Sequence, residues 1–349
     1  METIETKAGD KKTPGDTQNK SFWQKTYDMA QEEIPDHLNR FSYCLGATPL
    51  ILFIILAVTG ILLTFYYIPF PGQAYDSVKA ITEETYLGWF IRGVHQVTVN
   101  LMVATLLLHI VRVFITRAYR DGGELKWLLG AGLFFTVLAF GFTGYSLVYD
   151  NVSYWGMTVV TDMIRQIPVV GDPIFLLLRG GEDVTELTLL RLYDLHTKLL
   201  PLLIVLLIGA HIIAIRTLGF AKITKHQGTH PFFPGHGLKM LAITVMLLIV
   251  IVNMAAIFPP TIGDPANPLE VASDVSPPWY FSAIYRWIII APREAGLFSV
   301  FAFFTLFTIY PYIDRGFSDR GANMLRVNLA IGVIVAIFFS TMTIWEALV

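Results

Sequence analysis

Seven runs of roughly twenty residues, each nearly free of charge, set the terms for this 349-residue chain: 46–68, 90–115, 127–149, 192–215, 238–258, 295–313 and 327–346. A hydrocarbon core ~30 Å thick is crossed by about 20 helical residues. Lipid offers no partner to a backbone N–H or C=O, so such runs fold as helices that satisfy their own hydrogen bonds. A mean hydropathy of +0.57 with 15% charged residues agrees with this. The expected fold is an all-α membrane protein with seven transmembrane helices. The net charge of −2 says little by itself; no nucleic-acid partner is expected.

Charge sets the orientation. Seventeen of the 25 Lys and Arg lie in the N-terminal segment and the connections after the second, fourth and sixth runs. The positive-inside rule places these, and the N-terminus, in the cytoplasm or its topological equivalent. Residues 1–20 are polar and mixed in charge, and read as a solvated tail without the apolar core of a signal peptide. Residues 21–44 read as an amphipathic segment lying along the membrane interface. Between Asp150 and Arg191, the stretches VSYWGMTVVTDMI and DPIFLLLRG are too short and too charged to span, and read as helices on the outer surface. A change of character near Lys222–Lys239 divides the chain into a four-helix section, 45–221, and a three-helix section, 222–349. The loop between them holds His226, His230 and His236 with no Cys or acidic partner, and these read as solvated rather than metal-binding.

Four other histidines lie at membrane depth. His95 and His109 are fourteen residues apart in the second run, and His196 and His211 fifteen apart in the fourth. Fourteen residues is close to four helical turns, so each pair shares a face, its members ~21 Å apart along the axis. Polar groups at this depth are expensive and tend to be functional. Zinc would need its ligands clustered, whereas one imidazole from each of two helices suits each of two haem irons. Both helices run the same way, so His95 pairs with His196 near the outer surface and His109 with His211 near the inner one. Full bis-imidazole ligation leaves no open iron position, which points to electron transfer.

Gly46 and Gly60 in the first run, and Gly130 and Gly144 in the third, repeat the fourteen-residue interval. Glycine weakens a helix relative to alanine. Its recurrence in register is explained either by close helix packing or by room for a macrocycle edge at the depth of each histidine; the shared interval favours the second. Arg92 and Arg112 lie three residues from His95 and His109, where they could meet haem propionates or snorkel to the interface.

With RGVHQ, GFTGYSL, DLHTKLLP and GDPANPLEV followed by PPWYF in this order, residues 35–345 resemble cytochrome b of the quinol-oxidising Rieske/cytochrome b complexes. The fifteen-residue histidine spacing and the seven helices lie nearer the b6f type than the mitochondrial bc1 type, and the chain looks like a fusion of cytochrome b6 with subunit IV. The resemblance implies a bacterial cytoplasmic or other energy-conserving membrane, and bifurcated quinol oxidation at its outer side. One electron goes to a Rieske iron–sulfur protein and the other through two b haems to a quinone at the inner side, with protons moved across the bilayer. It further implies a c-type cytochrome subunit and a homodimeric complex. FSYCLG resembles the family motif whose cysteine holds a c-type haem through one thioether, which assigns that role to Cys44, with Arg216 beside it. The outer quinol site would comprise Tyr154, Trp155, Pro277, Pro278, Trp279 and Tyr280.

Two departures stand out. The family's Pro-Glu-Trp-Tyr reads Pro277-Pro278-Trp279-Tyr280, which removes a carboxylate base; Asp274, Glu270 and Asp150 are the candidates to replace it. The family's Pro-Trp after the third helix reads Val148-Tyr149. A di-haem quinone-reactive anchor of a dehydrogenase also uses histidine pairs but has no need of the PPWYF segment. A transporter or receptor would leave the matched histidines and glycines without purpose.

Overall fold

The computed structural model describes residues 21–35, 41–120, 122–219, 228–270, 276–318 and 323–348. The polar tail 1–20 and Asp274 lie outside these residues, as does His226. The chain is helical nearly throughout. In order it forms α1 (Phe22–Ala30), β1 (Glu33–Pro35), α2 (Phe41–Cys44), α3 (Thr48–Thr64), α4 (Pro71–Glu83), α5 (Gly88–Thr116), α6 (Glu124–Ser146), α7 (Asn151–Arg165), α8 (Gly171–Arg179), α9 (Glu186–Asp194), α10 (Leu200–Leu218), β2 (Thr229–Pro231), α11 (Gly237–Ile257), α12 (Trp279–Ile290), α13 (Arg293–Ser318) and α14 (Met324–Leu348).

Six helical stretches are long and apolar enough to span a bilayer: Gly88–Thr116, Glu124–Ser146, Glu186–Leu218, Phe232–Ile257, Ala295–Ser318 and Met324–Leu348. The first expected span is α3, apolar but only 17 residues long, at the short end of what crosses. Large apolar side chains such as Ile54, Ile61, Leu206, Ile249 and Ile337 are more than half exposed, as lipid-facing positions should be. The core lies where α3 packs on α5, α6 on α10 and α11 on α5. It holds Leu52, Met102, Val103, Leu106, Val137, Ile204, Leu247 and Ile251.

Both connecting stretches between α6 and α9 are helical, as α7 and α8. Asp150 caps α7, its Oδ1 accepting from the Ser153 N–H at 2.9 Å. Arg179, 5% exposed, ties the layer together. It donates to Thr161 Oγ1, the Thr158 carbonyl and the Glu182 carbonyl at 2.8 Å each, and stacks over Phe175.

Within the 21–44 segment α1 stops at Ala30, and Glu33–Pro35 pairs antiparallel with Thr229–Pro231, Ile34 opposite His230. Pro35, which brings no N–H, ends the strand. One expectation is corrected: His230 and His236 are partly buried, not solvated. The helix α12 begins directly after Pro278.

The two sections of the chain meet at one end of the bundle. Arg117, at the end of α5, makes a bidentate contact with Asp314 of α13, Nε to Oδ2 at 3.1 Å and Nη2 to Oδ1 at 2.8 Å. Beside it Asn328 of α14 donates to the Tyr119 hydroxyl at 2.6 Å and accepts from the Tyr310 hydroxyl at 2.7 Å. Asp314 and Asn328 are wholly buried.

Candidate haem and quinone sites

The four membrane histidines form two pairs across α5 and α10. His95 and His196 stand close enough to act on each other electrostatically, and so do His109 and His211. His196 lies in a π-helical turn, Leu195–Leu199, where the Leu200 N–H bonds to the Leu195 carbonyl. A π-turn inserts one extra residue into an α-helix. It absorbs the fifteenth residue between His196 and His211 and restores a four-turn spacing matching that of α5. Pro201, which brings no N–H to the ladder, follows directly.

Two threonines orient the first pair. The Thr59 hydroxyl donates to the Ile55 carbonyl at 2.8 Å, leaving its lone pairs to accept from His95 Nδ1 at 2.9 Å. The Thr143 hydroxyl donates to the Ala139 carbonyl at 2.7 Å and meets His196 Nδ1 at 2.9 Å. With the threonine proton on the carbonyl, each contact favours the proton on Nδ1 and leaves Nε2 free, the arrangement by which outer partners fix a metal-binding imidazole. At the second pair Arg112 Nη2 reaches His109 Nδ1 at 3.3 Å, and the buried Nδ1 of His211 makes no hydrogen bond.

The glycines sit against these rings. A Cβ on Gly144 would lie 2.7 Å from His196 Cε1, one on Gly60 3.4 Å from His95 Cε1, and one on Gly130 3.7 Å from His211 Cε1. Gly46 lines a cavity of about 600 Å³ together with Gly130, His109, His211, Arg112 and Arg216. An apolar slot with imidazoles facing across it and basic groups at its mouth fits a haem with its charged edge outward. Arg216 pairs with Glu32 at that mouth. Cys44, 1% exposed, sits in the core two residues before Gly46, and its sulfur is not part of the cavity wall. Burial pushes the Cys44 thiol up from its ordinary pKa, and the Lys239 ammonium opposes that.

At the other end Arg92 donates to Thr82 Oγ1 at 3.0 Å and to the Thr261 carbonyl at 3.0 Å. This pins the loop after α11 near His95. The same loop is held by Asp150: its Oδ2 accepts from the Gly263 N–H at 3.3 Å, and Asn151 N–H donates to the Asp264 carbonyl at 2.8 Å. Trp279 Nε1 donates to Asn100 Oδ1 on α5 at 2.8 Å, and the Tyr280 ring fills the space over Gly141, where a Cβ would come within 2.9 Å. Trp155 Nε1 donates to the Glu270 carbonyl at 3.0 Å, and Tyr154 packs edge-on against Tyr149. The sequence-predicted residues Tyr154, Trp155, Trp279 and Tyr280 thus gather on one end of the bundle, with Pro277 and Pro278 leading into α12. Sequence reasoning missed Thr59, Thr143 and Tyr145. The threonines each stand one residue before a spaced glycine, a signal that was available.

Residues 29–219 match the family model described as cytochrome b/b6/petB, and residues 265–347 the one described as cytochrome b (C-terminal)/b6/petD. Cytochrome b6 of Synechocystis sp. is 42% identical over 194 residues, covering 56% of this chain and 87% of the relative. Cytochrome b6 of Synechococcus sp. is 41% identical over 194 residues, covering 56% and 88%. In fold the chain is similar to a chain of the solved Hyperthermophilic respiratory Complex III, with a TM-score of 0.75, 24% identity and coverage of 92% and 95%.

Proposed function

The chain belongs to the cytochrome b/b6 family, as an integral multi-pass membrane subunit of a quinol oxidoreductase, and we propose that it supports bifurcated quinol oxidation. In this reading the quinol is oxidised at the end that holds Trp155, Trp279 and Tyr280. One of its electrons leaves for a Rieske iron–sulfur protein, and the other crosses to a quinone at the opposite end. The observation that carries it is the geometry of the imidazole pairs: His95 with His196 and His109 with His211, each backed by a glycine and spaced alike by virtue of the π-turn. Bound between these pairs, two b haems would supply one-electron transfer across the membrane.

The protein's own residues then have distinct tasks. Thr59 and Thr143 hold Nδ1 protons so that Nε2 of His95 and His196 would be free to hold a haem iron. Arg92 and Arg112 stand where the charged edge of each haem would end. The cavity beside His109 is also bounded by Arg216, Glu32, Phe232 and His236, and on that side we place the second quinone and a covalent c-type haem on Cys44. The N-terminal end faces the cytoplasm by its excess of Lys and Arg, and the complex is a homodimer with a c-type cytochrome subunit.

A reduced-minus-oxidised spectrum of the purified protein tests the core of this. Two b-type components, reduced by added quinol and reoxidised through a Rieske protein, are expected. A colourless protein would overturn the reading. A coloured one whose haems take electrons from quinol with no Rieske-dependent step would favour a dehydrogenase anchor instead.

A further inference from the structure

Asn100 lies within the span of α5, five residues past His95 and so ~7.5 Å further along the helix axis. A polar side chain at this depth is costly to place and tends to serve a purpose. Its Nδ2 donates to the Gln96 carbonyl at 3.0 Å, a bond within its own helix. Its Oδ1 accepts from Trp279 Nε1 at 2.8 Å. The amide therefore reaches out of α5 to the first residue of α12, inside the segment read as the quinol site.

Two prolines lead into that residue, Pro277 and Pro278, and neither brings an N–H that could tie the segment to a neighbour. Side chains hold it instead. Trp279 bonds to α5, and Tyr280, edge-on to Trp279 at 5.7 Å, seats its ring on Gly141 of α6, where a Cβ would come within 2.9 Å. Gly141 stands about one turn before Gly144, the glycine that abuts His196. The start of α12 is thus referenced to both helices beside the outer pair. On α5 the contact is five residues from His95, and on α6 it is one turn from the backing of His196.

The other end of the connection between α11 and α12 is tied to the same helix. Arg92, three residues before His95, donates to the Pro260 and Thr261 carbonyls at 3.4 and 3.0 Å. Beside it a Cβ on Gly93 would meet Pro260 Cδ at 3.3 Å, so the two backbones run close. The connection is fastened to α5 at both ends, on either side of His95. Apolar packing is non-directional and would let the start of α12 slide along α5. A hydrogen bond of 2.8 Å fixes its depth.

We propose that Asn100 is a positioning residue for quinol oxidation: through Trp279 it sets the depth of the Pro277–Tyr280 segment beside the His95–His196 pair. The inference rests on the quinol-oxidising reading above. Asn100 acts through the indole and takes no part in the chemistry. Its effect falls on the step that passes an electron from quinol to the outer pair, because that step depends on where the segment stands. A misplacement of about 1 Å at a reacting centre can cost on the order of 100-fold in rate. Loss of one hydrogen bond is therefore expected to show in that rate while the haems stay bound.

The test uses membranes carrying the whole complex, with b-haem absorbance as the measure of assembly. Asn100→Leu keeps the bulk of the side chain and removes the acceptor. It is expected to hold both b haems and to slow quinol-driven haem reduction about tenfold or more. Reoxidation of the haems by quinone at the opposite end should be unchanged, a selectivity that a merely structural role would not produce. Trp279→Phe, which removes the indole N–H, should slow the same step. The double variant should be no slower than Trp279→Phe alone, because both changes break one bond. Asn100→Asp, which keeps an acceptor oxygen, should recover most of the rate. Wild-type quinol-driven reduction in a haem-replete Asn100→Leu overturns the proposal. So does equal slowing of both half-reactions, or full additivity in the double variant. If Asn100→Leu holds no haem, Asn100→Ser, whose hydroxyl is too short to reach the indole, decides on the same terms. A wild-type complex that oxidises no quinol sinks the functional reading itself, a result distinct from all of these.

Discussion

Gly144 and His196 face each other so closely that a single methyl group on the glycine would lie 2.7 Å from the imidazole Cε1. The ring has little freedom to retreat, since Nδ1 is held by Thr143 at 2.9 Å and Phe140 packs edge-on against it. Gly144→Ala should therefore turn His196 away from its iron. The expected result is loss of about half the reduced-minus-oxidised b-haem absorbance, with the His109–His211 haem retained. Gly130→Ala is the informative companion. Its Cβ would make an ordinary 3.7 Å contact with His211, so haem lost from that variant must be lost to a clash with the macrocycle edge.

Replacing Thr143 or Thr59 by valine keeps the shape of the side chain and removes the acceptor of the imidazole Nδ1 proton. Outer partners of this kind typically govern metal-site affinity by 10–100-fold. Thr143→Val should therefore release haem from the His95–His196 pair more readily on dilution or mild heating, in roughly that range. Unchanged haem retention in both variants would show that the threonines do not set the ring orientation.

How much of this was legible in the sequence depends on the range of the forces involved. The spans could be read because hydropathy is a local property summed over twenty residues. The histidine and glycine registers could be read because a helix converts spacing into direction. The fifteen-residue gap between His196 and His211 was visible, but not the π-turn that absorbs it, because that turn depends on how Leu195–Leu199 is held between α9 and α10. The β1–β2 pair joins residues almost two hundred positions apart, and no local pattern reveals such a pairing. Likewise only the packing of α14 on α12 sets Glu346 beside Arg286.

Cys44 offers a direct chemical test of the third haem. After denaturation, the chain should retain haem peroxidase activity on a gel, and Cys44→Ala should abolish that stain while leaving both b-type spectral components in the native protein. The sulfur lies in the core, two residues from the cavity wall at Gly46, so attachment requires the α2 turn to present it to the cavity. A wild-type chain without stain removes the covalent haem and leaves the two b sites untouched.

The Arg117–Asp314 contact joins the end of α5 to α13, and so the four-helix section to the three-helix section. Asp314 is wholly buried and the guanidinium also donates to Ser318 Oγ at 2.7 Å. Removing one partner of such a pair leaves the other charge buried and uncompensated, which costs about 3–5 kcal/mol. Asp314→Ala should thus lower the detergent-solubilised unfolding temperature well beyond the effect of an exposed change such as Asp194→Ala, whose pair with Lys198 is solvent-screened. Because α13 and α14 are linked by Tyr310, Asn328 and Tyr119, the loss should spread along the section boundary. Limited proteolysis should then separate the two sections more readily than in the wild type, while the four-helix part still holds its b haems. Equal stability of Asp314→Ala and the wild type would mean that apolar packing of α11 and α14 on α5 alone holds the sections together.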